Sequence, residues 1–125
     1  MALTKPRTNS EYPICESTTS IATTPVAMSA IAPVAGYIQR VMAASSGTTT
    51  GTITVAVTVN GGSDIAGGAL TIAAGAGGAG SVVELPLVGA SAVWVNEGDL
   101  IVATPSGGTG SSIGGAFAAV IRGIV

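Results

Sequence analysis

Histidine is absent from this 125-residue chain, and charged residues make up only 8% of it, against about 25% in an ordinary soluble domain. Without imidazole the usual general base and the commonest metal ligand are both missing. The single Lys, Lys5, stands near the start, so a Ser or Cys nucleophile has no substitute base beside it. The sequence therefore predicts no enzyme activity, no cofactor and no metal site. Lys5, Arg7, Arg40 and Arg122 are the four basic residues. They form no stripe with interleaved aromatics, which argues against a nucleic-acid partner. No basic amphipathic helix is present to lie on a membrane.

Long apolar runs are scarce too, although mean hydropathy is +0.66. The uncharged window 65–83 is mostly Gly and Ala, which drive membrane insertion far less than Leu or Ile. The first ten residues contain no continuous apolar stretch of the kind a secretory signal uses. Cys15 is the only cysteine, so an intramolecular disulfide is excluded. These features predict synthesis in a reducing cytoplasm. Aromatics amount to 3%, namely Tyr12, Tyr37, Trp94 and Phe117. Core bulk must then come from Val, Ile, Leu and Ala, which bury less area each. Nineteen glycines add backbone entropy to the cost of folding. A modest core and a net charge of only −2 point to an obligate or near-obligate component of an assembly.

What the chain does contain is β-pattern. Thr52-Ile53-Thr54-Val55-Ala56-Val57-Thr58-Val59 alternates strictly, with Ile53, Val55, Val57 and Val59 on one face and Thr or Ala on the other. Asn60-Gly61 follows, a pair suited to the positive φ of a tight hairpin turn. Further strands are expected over residues 26–31, 36–43, 69–73, 81–87, 92–95, 99–104 and 116–124, separated by turn-forming clusters of Gly, Pro, Asn and Ser. No stretch sustains a helical period. About eight short strands make a jelly-roll-like β-sandwich, assigned to residues 26–125. Residues 1–25 hold three of the six prolines and half of the basic residues, and read as an extended N-terminal arm with little core of its own.

Several local patterns invite chemistry and decline it on context. Gly75 to Gly80 satisfies G-x-G-x-x-G, but Ser81-Val82-Val83-Glu84-Leu85-Pro86 cannot open the helix that a dinucleotide site needs. Glu97 and Asp99 flank Gly98 in a composition typical of turns. The series Thr48, Thr50, Thr52, Thr54 would suit an ice-binding array only if adjacent strands repeated it, and the sequence shows no second such strand. Arg40 and Arg122 each interrupt an apolar strand. They read either as solvent-facing residues or as donors in a subunit-interface ion pair with Glu84 or Glu97.

From Gly36 onward the chain resembles the small head decoration (cement) proteins of tailed bacteriophages. The resemblance rests on the opening strand Gly36-Tyr37-Ile38-Gln39-Arg40-Val41, the Thr/Val strand running into Val59-Asn60-Gly61-Gly62, and the Gly/Ala-rich run. The turn-then-strand Val95-Asn96-Glu97-Gly98-Asp99-Leu100-Ile101 and the apolar closing strand through Arg122 complete it. It implies a structural virion protein on the outer capsid surface that clamps neighbouring subunits of the major capsid protein, often as a homotrimer. The alternative reading is a trimeric tail-fibre or adhesin-type domain that binds host glycan or receptor. The candidate capsid or subunit contacts are Lys5, Arg7, Tyr12 and Ile14 in the arm, with Arg40 and Arg122 on the sandwich, whereas a glycan site would draw on Trp94, Tyr37 and Tyr12.

Overall fold

A computed structural model describes residues 10–65, 69–74, 80–87, 89–109 and 113–123. Among the described residues, nine strands run in chain order: β1 (Ser10–Thr18), β2 (Met28–Ile31), β3 (Gly36–Ser45), β4 (Ile53–Val59), β5 (Leu70–Ile72), β6 (Gly80–Glu84), β7 (Trp94–Val95), β8 (Leu100–Ser106) and β9 (Gly115–Gly123). They form two antiparallel sheets, one ordered β1-β9-β3-β6 with β7 also paired to β3, the other ordered β2-β8-β4-β5. The all-β sandwich expected from the alternation is what forms.

The inward faces supply one core. Ile38, Val41, Phe117, Ala119 and Ile121 come from the first sheet, and Met28, Ile53, Val55, Val57, Leu70, Ile72 and Ile101 from the second. Phe117 is the one aromatic among these buried core residues, as an aliphatic-built core requires. Asn60 and Gly61 both take positive φ, 53° and 72°, and the Gly62 N–H donates to the Val59 carbonyl at 3.0 Å, closing the expected tight turn. The Asn60 side chain then does more than turn the chain. Its Oδ1 accepts the Leu100 N–H at 2.8 Å, tying this turn to the start of β8.

The boundary at residue 25 does not hold. Ser10–Thr18 pairs along its whole length with Gly123–Gly115 of β9, and Ile21 and Ala22 are buried in the core. Gly115 shows how tightly that segment is seated, since a Cβ there would stand 2.7 Å from Ile21 Cγ2. Pro13 did not exclude a strand because β1 is the edge of its sheet, where a missing donor costs no ladder bond. Residues 1–9, with Lys5 and Arg7, lie outside the described residues, as do Gly75 to Ala79 of the glycine motif.

One irregularity decides what faces solvent. The pairing of β3 with β9 slips between Ile38 and Arg40, so Ile38 stands opposite Ile121 and Arg40 opposite Val120, leaving Gln39 as a bulge. In a strand with period two, Ile38 and Val41 could not both face inward. The bulge lets both do so, and both are fully buried while Arg40 stays on the outside.

Candidate interaction surface

The register of four strands arranges the outward side chains of the first sheet in rows. Trp94, Tyr37, Arg122 and Glu11 form the first row, across β7, β3, β9 and β1. Glu84, Arg40, Val120 and Pro13 form the next, then Val82, Met42, Ala118 and Cys15, then Gly80, Ala44, Ala116 and Ser17. One end of this face is aromatic and charged. The other is a shallow apolar hollow of about 250 Å³ lined by Cys15, Met42, Ala44, Val82, Ala116 and Ala118, among others.

At the charged end, Arg40 Nη2 donates to Glu11 Oε2 at 3.5 Å, its Nη1 lies 3.7 Å from Glu84, and Arg122 Nη1 lies 4.0 Å from the other Glu11 oxygen. These charges lie on four adjacent strands of one chain, so the ion pairs are internal. The acceptors within the chain are Glu84 and Glu11, while Glu97 sits exposed in the β7–β8 turn. The pairs are long and partly solvated, worth about 0–1 kcal/mol each. The Tyr37 and Trp94 rings meet edge to face with centroids 5.0 Å apart, and Trp94 Nε1 donates to Asn96 Oδ1 at 3.0 Å. Trp94 remains 43% exposed.

Tyr12 and Ile14, expected as anchors for a partner, point the other way. Both pack against the chain's own core, and the Tyr12 ring lies over Gly123, where a Cβ would come within 2.6 Å of it. Alternation explains this: once β1 joins the sheet, Tyr12 and Ile14 share the inward parity of Ile121 and Ala119 opposite them.

The second sheet presents a different face. Thr54 is flanked by Ser106 of β8 and Thr71 of β5, and Thr104 stands opposite Ala56. Hydroxyls therefore do recur on adjacent strands, although Val102 and Ala56 interrupt them. At one corner Ile31 and Leu100 are cross-strand partners, exposed by 63% and 40%. The neighbouring turn is polar and firmly held. Asp99 Oδ2 accepts the Asn96 N–H at 2.8 Å, Gly98 has φ of 93°, and the Gly98 N–H donates to the Ala32 carbonyl at 2.9 Å. The Asn96 N–H, and after it the Asn60 amide, hold the Asp99 carboxyl below its ordinary range. Asp99 thus fills the turn role read from its context.

Among the described residues, no three His, Cys, Asp or Glu side chains gather as a metal site, and no helix is long and apolar enough to cross a membrane. In comparisons with known proteins, no family model matches the chain and no curated protein is significantly similar to it.

Proposed function

We propose that this protein is a structural binding module that docks on the outside of a tailed-phage head and clamps neighbouring major capsid subunits while associating with copies of itself. The observation that carries the reading is the placement of exposed apolar side chains. Of the five such large side chains among the described residues, four lie on the two outer sheet faces, Val82 and Trp94 on one and Ile31 with Leu100 on the other, and Val26 lies in the β1–β2 connection. Apolar spots rimmed by polar turns are the anatomy of protein interfaces. The strand order supports a jelly-roll reading as well: with β7 set aside, β1-β9-β3-β6 faces β2-β8-β4-β5, so that early strands pair with late ones.

On this reading the Ile31–Leu100 corner meets the shell and the first sheet's outer face meets another copy. A clamp that binds only the assembled lattice stabilises that lattice by mass action. The protein would reside on the outer surface of the virion, and its work involves no catalytic step. Co-sedimentation with purified phage heads tests this. The native protein should pellet with expanded heads, and Ile31→Glu should abolish pelleting without altering the fold. Failure to bind heads of any phage would overturn the assignment. The alternative, a fibre or adhesin domain, draws on exposed Trp94 and the half-buried Tyr37 ring beside it, since glycan sites use such rings. Glycan-array binding lost on Trp94→Ala would favour it.

A further inference from the structure

We infer that the outer face of the first sheet is the docking site for a second copy of this chain, packed face to face about a two-fold axis that runs along the strands between β3 and β9. The inference rests only on the self-association in the reading above and not on the capsid. A two-fold contact requires a self-complementary patch, in which residue i meets residue j of the partner and j meets i. The row Val82–Met42–Ala118–Cys15 satisfies that condition by size. An axis between β3 and β9 places β6 of one copy over β1 of the other, and β3 over β9.

In the row Val82–Met42–Ala118–Cys15, Met42 then seats over the partner's Ala118 and Val82 over the partner's Cys15. Both contacts occur twice. Val82 is 58% exposed and with Met42 lines one side of the apolar hollow whose other side is formed by Cys15, Ala116 and Ala118. The row Gly80–Ala44–Ala116–Ser17 is small throughout and allows close approach. At the other end Tyr37 comes over the partner's Arg122, a cation–π pairing.

Area and edges agree with this choice. Four strands at about 4.8 Å and nine residues at about 3.3 Å give roughly 19 by 30 Å, or about 570 Å² per copy. The pair therefore buries about 1,100 Å², above the roughly 1,000 Å² of a specific interface. Edge-to-edge addition at β1 is opposed by Pro13 in the middle of that strand.

The test is mass and thiol reactivity in solution on the full chain. Sedimentation equilibrium should give twice the 11.9 kDa chain mass, and Cys15, free and exposed in the single chain, should react more slowly with a maleimide as protein concentration rises. Ala118→Arg, on the solvent side of the sheet, should weaken pairing about 100-fold or more by burying an unpaired charge. Val82→Glu, at a more exposed position, serves if Ala118→Arg does not fold. Val82→Ala should weaken pairing, and adding Cys15→Val should restore it. Oxidation should not cross-link the pair, because the two Cys15 residues lie on opposite flanks, about 14 Å apart across the strands. A monomer at all concentrations would overturn both the face and the self-association. An oligomer indifferent to Ala118→Arg and Val82→Glu, a mass of three chains, or a rapid Cys15 cross-link would overturn this face or its two-fold geometry alone. Head binding through Ile31 is read separately in each case.

Discussion

Deleting Gln39 should leave the sandwich folded, whereas deleting a single residue from β9 should not. The bulge makes Gln39 the one surplus residue in β3, since Ile38 opposes Ile121 and Arg40 opposes Val120. Without it the ladder closes with Ile38, Val41 and Ala43 still inward and Arg40 still outward. The calculable loss is the Gln39 carbonyl, which accepts the Leu85 N–H at 2.9 Å; leaving a buried donor unmade costs about 1–3 kcal/mol. Gln39 also carries a buried Oε1 with no partner among the described residues, so its removal offsets part of that cost. The same operation on Ala118 has no surplus to absorb it. β9 pairs with β1 without a break over nine residue pairs, and a one-residue slip turns Ile121 outward and Arg122 inward. Exposing Ile121 forfeits about 1.5–3 kcal/mol, and an unpaired inward Arg adds several more. Together these approach the whole stability of a small domain, about 5–15 kcal/mol. Urea melts followed by circular dichroism should show a cooperative transition for the Gln39 deletion, shifted by no more than about 3 kcal/mol, and none for the Ala118 deletion. A non-folding Gln39 deletion, or equal losses in the two, would refute the bulge as the device that orients Arg40.

Removing residues 1–20 should abolish the cooperative transition because it strips β1 from β9, while removing residues 1–9 leaves every β1 pairing in place and should preserve it; circular dichroism melts of the two truncations distinguish them. Phe117→Ala should cost about 3–5 kcal/mol in the same melts, as expected for the loss of a fully buried aromatic from an aliphatic core. Asp99 has a folded-state pKa below its unfolded one, so its contribution is complete above the ordinary carboxylate range, near pH 4, and is lost as pH falls through the folded value. Urea midpoints should accordingly be flat from about pH 5 to 9, where no His titrates, and fall at lower pH, less steeply in Asp99→Asn; a large loss between pH 5 and 9 would contradict this.

The strands that could be read from the sequence were those whose alternation is clean. Ile53–Val59 is the clearest, and the eight expected strands all recur with ends shifted by a few residues. β1 was hidden although its signal was present. Tyr12 and Ile14 alternate with Glu11, Pro13 and Cys15, but prolines and charge gave the segment the composition of a solvated arm. Only its position at a sheet edge, a tertiary fact, reconciles Pro13 with a ladder. The bulge left a trace as well, in the three-residue spacing of Ile38 and Val41, but a bulge is distinguishable from a strand end only once the partner strand is known. The candidate surface was less legible for the same reason. Arg40 and Arg122 were visible as charges in apolar strands, yet Glu11 reaches them from a strand far away in sequence. The row that sets Val82 and Met42 beside Ala118 and Cys15 depends on three separate registers. Each residue of that row is unremarkable in its own strand. Their order across the sheet, two larger side chains followed by two smaller, is what makes the face complementary to a copy of itself, and that order exists only after the strands have paired.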